Sequence, residues 1–177
     1  EVRSEASTCS KIYRDQHGGI LEDLENVIHI IVAGLPKSQK RHRFGRGFTY
    51  DPSKEDKTTF LSLVRKQAPE QPILGPIALN VIFSMPRPKK HFKTGKHFNS
   101  LKTDAPYYHT YRPDIDNLLK FVMDALGREI FFKDDSQVSQ INCMKVYGDY
   151  PRTEIIIGEL HYGKQDKGLP PSRLPEE

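Results

Sequence analysis

Hydrophobic and polar positions along the chain follow two periods, which indicates a mixture of strands and helices. Residues 25–35 are almost continuously apolar and rich in β-branched side chains, as in a strand buried on both faces. Residues 77–85 follow a two-residue period, which is typical of a strand. Two further runs, 138–147 and 153–161, are joined by turn residues at 148–151, so they predict a β-hairpin.

Two other segments carry the period of an amphipathic helix. Asp51 is placed to cap the first, with Pro52 in its first turn, and a short strand is predicted just before it at 47–51. The apolar stripe of the first helix is Phe60, Leu61, Val64 and Ala68. The second helix has the clearer stripe, stops at Gly127, and carries Ile115, Leu118, Leu119, Val122, Met123 and Leu126.

The resulting order, β-β-α-β-α-β-β, predicts an α+β fold with a mixed β-sheet and two main helices, mainly on one face. The 177 residues suit one domain, which we place at 25–162. Residues 1–24 lack a clear period and are predicted to be an N-terminal tail. Residues 163–177 are polar and rich in proline, which predicts a disordered C-terminal tail.

Basic residues are concentrated in two stretches, on a formal net charge of +4. Residues 37–46 contain five lysines and arginines and no acid, and residues 87–112 contain seven against Asp104. Clusters of this kind favour a polyanionic partner. The candidate DNA-contacting residues are Lys89, Lys90, Lys93, Lys96 and Arg112. Nearby aromatic residues are candidates for stacking on bases: Phe92, Phe98, Tyr107 and Tyr108.

The cysteines, apolar runs and histidines of the chain bear on its compartment, on membrane association and on metal binding. Cys9 and Cys143 form neither a disulfide framework nor a zinc motif, which favours an intracellular, reducing compartment and leaves an organelle open. No apolar run approaches the roughly 20 residues of a membrane span, so no membrane partner is expected. Three histidines of the second basic stretch are spaced too irregularly for a metal site, and we expect phosphate contact or solvent exposure: His91, His97 and His109.

Acidic residues occur in two groups around the second helix. Asp114 and Asp116 are two positions apart, so they converge only if Asp114 precedes the helix and Asp116 lies at its cap. Asp134 and Asp135 are adjacent at the start of the next strand, so only one of them faces a shared site. The sequence by itself leaves open which one.

Three carboxylates that meet in one place repel each other unless a cation lies among them. Oxygen ligands alone favour Mg²⁺, with Mn²⁺ as the alternative, and in basic surroundings this predicts metal-assisted phosphodiester hydrolysis. Lys120 lies one turn after Asp116 and is placed to contact a phosphate. The structural alternatives are an N-cap for Asp114 or Asp116, a surface ion pair of Lys120 with Asp116 or Asp124, and a polar turn at 134–135.

In these residues the chain resembles the RusA-type Holliday junction resolvases. The shared pattern is an acidic pair followed by Asn, a Lys four residues later, an Asp-Ala-Leu, and an Asp-Asp-x-Gln-Val box. It occurs here as Asp114, Asp116, Asn117, Lys120, Asp124-Ala125-Leu126 and Asp134-Asp135-Ser136-Gln137-Val138. The ordered set is specific, whereas the wider match over 27–160 is looser. The basic loop 87–112 and both terminal extensions depart from the compact family pattern.

The resemblance implies that Asp114, Asp116 and Asp135 bind the catalytic metal, and it favours Asp135 over Asp134. It makes Lys120 a positive charge near the phosphate. It also implies a homodimer that resolves branched, four-way DNA by paired nicks in recombination and repair. Two alternatives are a catalytically silent module that binds branched DNA and a metal-dependent nuclease of another specificity.

Overall fold

A four-stranded mixed sheet with two helices on one face forms the framework of the chain. The computed structural model describes residues 24–45, 47–127 and 129–160, so the predicted tails lie outside the described residues, apart from Leu24. The elements are β1 (Leu24–Ala33), β2 (Arg43–Gly45), β3 (Phe48–Tyr50), α1 (Lys54–Val64), β4 (Ile77–Pro86), α2 (Ile115–Leu126), β5 (Val138–Gly148) and β6 (Arg152–Leu160). The predicted α+β class, with a mixed sheet and two main helices, is confirmed.

The first basic stretch contains a strand that the sequence did not predict. β2 pairs antiparallel with β3 to form a hairpin that is a separate two-stranded sheet. Gly47 lies in the turn with φ +82°, a conformation that glycine adopts without the steric cost of a side chain. Three-residue strands give too short an alternation to recognise in a basic segment, which is why this hairpin was read as a loop followed by one strand.

The strand order of the main sheet is β1-β6-β4-β5, so the predicted hairpin between the last two strands is wrong. β4 lies between them, parallel to β5 and antiparallel to β6. β4 takes the central place because residues 77–85 are buried on both faces, apart from a partly exposed Ile82. The connection passes close beside β4, since a Cβ built on Gly148 would lie 2.9 Å from the Cβ of Ser84.

The helices pack on the sheet face that carries Leu79, Val81 and Phe83 of β4. Their mutual contact includes an edge-to-face pair between Phe60 of α1 and Phe121 of α2, with ring centroids 5.6 Å apart. The predicted stripe of α1 is confirmed for Phe60 and Val64, which are buried, and for Leu61, which packs against the core. Ala68 also packs against the core, but it lies beyond the end of the helix in an extended conformation. In the part of the chain that is described, no helix is both long and apolar enough to cross a membrane.

The buried side of α2 is rotated relative to the predicted stripe. Phe121 and Ala125 are buried although the prediction omitted them, and Ile115 is 39% exposed although the prediction included it. The reason is that α2 packs against α1 as well as the sheet, which draws Phe121 inward. The first turn of α2 therefore projects beyond the core. Gly127 ends the helix as predicted, with its N–H donating to the carbonyl of Met123.

The start of α1 also differs from the prediction. Ser53, not Asp51, is at the N-cap position, and the helix begins at Lys54. Asp51 instead accepts a hydrogen bond of 2.8 Å from the backbone N–H of Ser53. Its carboxylate is thereby held in the turn before the helix.

Candidate active site

The entrance of α2 presents two carboxylates. Asp114 is the N-cap residue in an extended conformation, and its backbone carbonyl accepts the N–H of Leu118. Within the described residues its side chain accepts no capping hydrogen bond, so the N-cap interpretation holds for its backbone only. Asp116 lies in the first turn and accepts a hydrogen bond of 3.2 Å from the side-chain amide of Asn117. Both carboxylates are exposed to solvent.

Asp114 and Asp116 open onto one cavity of about 600 Å³, which we call the entrance cavity. Its lining residues are Tyr108, His109, Thr110, Tyr111, Asp114, Ile115, Asp116, Cys143, Met144 and Lys145. The outward rotation of Ile115 forms part of this wall. The two acids therefore share one cavity as predicted, although the cap position is occupied by Asp114 and not, as predicted, by Asp116, which lies in the first turn.

Lys145 is a residue of this cavity that the sequence analysis missed. Its ammonium donates to the backbone carbonyls of Tyr111 and Pro113, at 2.6 Å each. Its own carbonyl accepts the N–H of His109, at 3.0 Å. Lys145 thus fixes the segment that leads into Asp114. A signal was present in the sequence, because Lys145 shares the core-facing side of β5 with the half-buried Cys143.

Cys143 belongs to the wall of the entrance cavity as a neutral thiol. Burial raises its pKa to about 11, so the thiol stays protonated near neutral pH. A thiol in this state is a poor metal ligand, because thiolates are the metal-binding form.

Asp135 lies at the opposite end of α2. A Cβ built on Gly127 would be 3.2 Å from a carboxylate oxygen of Asp135. The second cavity there, which we call the exit cavity, measures about 480 Å³. It is lined by His42, Asp51, Lys57, Met123, Asp124, Gly127, Lys133, Asp134 and Asp135.

The Asp-Asp-Ser-Gln segment is a short 3-10 turn rather than the start of a strand. Asp134 accepts the N–H of Ser136 at 2.8 Å, and the side-chain carbonyl of Gln137 accepts the N–H of Asp134 at 2.9 Å. These reciprocal bonds form a capping box. The hydrogen bond from Ser136 lowers the pKa of Asp134, so this carboxylate has a structural role.

The carboxylate of Asp135, unlike that of Asp134, is not part of the capping box. Burial, followed by the negative charges of Asp124 and Asp134, raises its pKa. Of the two acids that the sequence left open, Asp134 is therefore stabilised in its charged form by a hydrogen bond, whereas the charged form of Asp135 is disfavoured by burial and by neighbouring negative charges.

Helix α2 separates the two groups of acids. Asp114 and Gly127 flank a 12-residue helix, so at 1.5 Å per residue they lie about 20 Å apart along its axis. One chain therefore does not bring Asp135 to Asp114 and Asp116. Among the described residues, no three His, Cys, Asp or Glu side chains are grouped to hold a metal ion. The ligand roles of the three acids remain predictions.

Lys120 lies on the exposed surface of α2, one turn after Asp116. The alternative of a surface ion pair is not seen, because within the described chain Lys120 pairs with neither Asp116 nor Asp124. Asp124 is instead 2.7 Å from the ammonium of Lys57. The charge of Lys120 is therefore not committed to either neighbouring acid.

The exit cavity is built around Lys57, whose side chain is only 5% exposed. Its ammonium lies 2.8 Å from Asp51 and 2.7 Å from Asp124. Burial alone would raise the pKa of Asp51, but hydrogen bonds from Lys57, Ser53 and Gln39 outweigh it and hold the pKa at about 2. This ion triad joins α1 to α2.

The second basic stretch is exposed where its cations were expected to contact DNA. Its five candidate residues are all at the surface: Lys89, Lys90, Lys93, Lys96 and Arg112. His91, however, is 6% exposed and packs edge-on against Tyr147, so the expectation of phosphate contact or solvent exposure was wrong for it. Arg87 is also held, donating to the carbonyl of Pro106 at 2.9 Å. These contacts anchor the base of the loop.

Comparison with known proteins assigns the family. The family described as "Endodeoxyribonuclease RusA" matches residues 33–158, a range that includes both ends of α2. The chain belongs to the RusA endodeoxyribonuclease family. This confirms the resemblance that the acidic motifs indicated.

Two relatives illustrate the range of RusA-like proteins. The "Uncharacterized protein YqaN" of Bacillus subtilis (strain 168) is 34% identical over 139 residues, which is 75% of this chain and 96% of that protein. The "Crossover junction endodeoxyribonuclease rusA" of Lactococcus phage r1t is 39% identical over 51 residues, or 29% of this chain and 39% of the phage protein. The first match spans nearly the whole relative, and the second is local.

The RusA family raises the question whether the chain can hold a divalent metal. Mg²⁺ is commonly bound by one or two carboxylates together with substrate phosphates. Asp114 and Asp116 meet this requirement, because their carboxylates are exposed and share the entrance cavity. The set of three with Asp135 does not fit within one chain, for the reason of distance given above.

Asp51→Asn should weaken the protein in a pH-dependent way. The folded pKa of about 2 lies below the unfolded value near 3.9, so the ionised form stabilises the fold above about pH 4. We expect a loss of roughly 2 kcal/mol near neutral pH, which shrinks as the pH falls from about 4 towards 2. Urea unfolding of wild type and variant across this range measures it. The exposed Asp149→Asn is the control, and a loss that stays constant with pH would contradict the assignment.

Lys145→Met should loosen the segment before α2. The change leaves the carbonyls of Tyr111 and Pro113 without their charged donor, which costs about 1–3 kcal/mol. Hydrogen exchange measured by mass spectrometry should be faster in a peptide covering residues 107–118 and unchanged in β6. Lys66→Met, in the exposed 3-10 turn that follows α1, is the matched control. Equal exchange in both variants would show that Lys145 does not hold this segment.

Proposed function

We propose that this member of the RusA family is a Mg²⁺-dependent endodeoxyribonuclease that resolves four-way DNA junctions by paired nicks, in recombination and repair. The proposal rests mainly on the entrance cavity, which Asp114 and Asp116 line with exposed carboxylates. Within the described residues, the side chain of Asp114 makes no capping hydrogen bond. The phage relative is named a crossover junction endodeoxyribonuclease, which supports the choice of a branched substrate.

The residues that line the entrance cavity, and Lys120 one helical turn beyond it, have different roles in this proposal. Asp114 and Asp116 hold the cation, which when bound supplies Lewis-acid stabilisation of the phosphate and an activated water. Lys120, with its uncommitted charge one turn further along α2, stabilises negative charge on the scissile phosphate. Lys145 positions the backbone that carries the first acid.

The basic loop supplies the grip on DNA in this proposal. Its exposed cations contact phosphates, which makes binding fall with rising salt: Lys89, Lys90, Lys93, Lys96 and Arg112. Exposed rings at Phe98, Tyr107 and Tyr108 are available to stack on opened bases. We place the protein in an intracellular, reducing compartment, in keeping with the free thiol of Cys143.

A synthetic four-way junction should be cut in the presence of Mg²⁺ and not in EDTA, whereas linear duplex should be cut far less. Asp116→Asn should slow cleavage at least about 100-fold while leaving junction affinity unchanged, because it removes a charge at the reacting phosphate and not the basic grip. Denaturing gels measure cutting, and mobility shifts in EDTA measure binding. The exposed Asp149→Asn is the control.

The outcomes of this assay separate the alternatives. Binding of the junction without metal-dependent cutting would identify a catalytically silent module. Equal cutting of junctions and linear duplexes would identify a nuclease of another specificity. A fully active Asp116→Asn variant would show that the entrance cavity is not the active site.

We further propose that the active unit is a homodimer in which Asp135 of the partner subunit completes each site. A four-way junction has two-fold symmetry, so paired nicks require two sites. The separation of about 20 Å along α2 keeps Asp135 of the same chain away from Asp114 and Asp116. A second copy removes this restriction, because its exit cavity is free to approach the entrance cavity of the first.

Mixing two inactive variants tests this arrangement. In a heterodimer of Asp116→Asn with Asp135→Asn, shared sites would leave one site intact, so about half of the refolded dimers should regain nicking of one strand. If each site used acids of one chain only, both sites would be defective and the mixture would stay inactive. Each variant alone is the control, and equal oligomeric mass by light scattering confirms that mixing produced dimers.

A further inference from the structure

The hairpin of β2 and β3 exposes three aromatic rings that do not pack in the hydrophobic core. Phe44 is 77% exposed, Phe48 58% and Tyr50 42%. None of the three belongs to the hydrophobic core, and the hairpin forms a sheet of its own. Large exposed rings on a projecting element indicate a binding surface more than a stabilising one.

The hairpin presents rings on both of its faces. The pairs Arg43–Tyr50 and Gly45–Phe48 share one face, and Phe44 lies on the other. On the first face the ring centroids of Phe48 and Tyr50 are 6.3 Å apart.

The charges around the rings favour an anionic partner. From Lys37 to Tyr50 the chain has no acidic residue. Lys37 and Lys40 are each 3.2 Å from Asp56, which partly offsets their charge. Arg41 and Arg43 are exposed and, in the described part of the chain, form no ion pair. An apolar protein surface would gain nothing from these guanidinium groups, whereas a nucleic acid strand has both phosphates and bases.

The hairpin lies beside the exit cavity, which contains Asp135. His42 and Asp51, the residues on either side of it, both line the exit cavity with Asp135. The ion pair of Asp51 with the buried Lys57 fixes its base to α1. The rings therefore project beside the cavity that holds Asp135.

We propose that this hairpin stacks on unpaired bases at the open centre of branched DNA, with Phe44 and Phe48 as the stacking rings and Arg41 and Arg43 on the flanking phosphates. Base–aromatic stacking tolerates any sequence, because every base has a π-face. The proposal rests on the junction-cutting function proposed above. It adds a second contact to branched DNA, separate from the 87–112 loop.

A fluorescent base measures this contact. Junctions carry 2-aminopurine either beside the branch point or in the middle of an arm, and EDTA prevents cleavage. Binding of wild type should change the emission of the branch base and not that of the arm base. The double variant Phe44→Leu with Phe48→Leu keeps apolar area but removes the rings. We expect it to lose the branch signal and to bind the junction about 5- to 100-fold more weakly, with unchanged affinity for linear duplex.

Matched variants control for general damage. Phe44→Tyr with Phe48→Tyr retains the rings and should keep the branch signal. Leu74→Ala changes an aliphatic residue of the same exposure, 76%, and should behave as wild type. Thermal melting should be unchanged in all variants, since the rings lie outside the core.

Three results would overturn the proposal. A wild-type chain that cuts junctions but leaves the branch emission unchanged would remove the hairpin contact and leave the proposed function standing. A Phe44→Leu, Phe48→Leu variant that shows the same change in branch-base emission as wild type, and a lower oligomeric mass than wild type, would assign the hairpin to a subunit interface and not to DNA. A wild-type chain that neither binds nor cuts junctions would overturn the hairpin contact and the proposed function together.

Discussion

The length of α2 is the constraint on which the arrangement of the acids depends. Twelve helical residues, packed on the sheet through Leu118 and on α1 through Phe121, form a rigid spacer of fixed length. Side chains at its two ends cannot share one ion within a chain. The helix therefore gives the protein two acidic positions, one at its entrance and one at its exit, rather than a single cluster.

The buried ion triad gives the exit end its rigidity. Lys57 is nearly inaccessible and contacts two carboxylates, Asp51 and Asp124, from different elements. Removing either carboxylate would leave the buried ammonium partly uncompensated, in line with the loss of roughly 2 kcal/mol expected for Asp51→Asn. The Asp-Ala-Leu part of the family pattern is explained here structurally, because Asp124 holds α1 and is not required to bind a metal. The same triad fixes the base of the aromatic hairpin.

Much of the fold could be predicted because hydrophobic periodicity reports local environment. The apolar run at 25–35 correctly predicted a strand, the α1 stripe largely held, and Gly127 ended α2 as its place after the stripe suggested. The prediction that this first strand is buried on both faces was wrong, because β1 lies at an edge of the sheet and its Val27 and Ile31 are about half exposed. Strand neighbours are set by tertiary packing, and so the turn at 148–151 was mistaken for a hairpin. The burial of β4 on both faces, which goes with its place inside the sheet, is visible only in the structure, because the two-residue period of 77–85 indicated a strand without specifying its neighbours.

The sequence predicted one site shared by three acids, and the structure brings only two of them to the same cavity. Asp114 and Asp116 line the entrance cavity, whereas Asp135, which the family resemblance had added to them, lines the exit cavity. Lys145 was missed because its role depends on two backbone carbonyls, which no residue pattern specifies. His91 was misjudged because its partner Tyr147 is more than fifty positions away.

The separation of the acids along α2 changes the role that a second subunit would have in the proposed homodimer. If a single chain gathered all its acids, a dimer would serve only to place two complete sites at a suitable spacing. In the proposed dimer, with the acids at opposite ends of a helix, the second copy would also supply Asp135 to the site of the first chain. Cleavage would then be coupled to dimerisation, and an isolated chain would not act as a nuclease. For the proposed junction-specific cutting, that coupling would restrict cleavage to the assembled dimer.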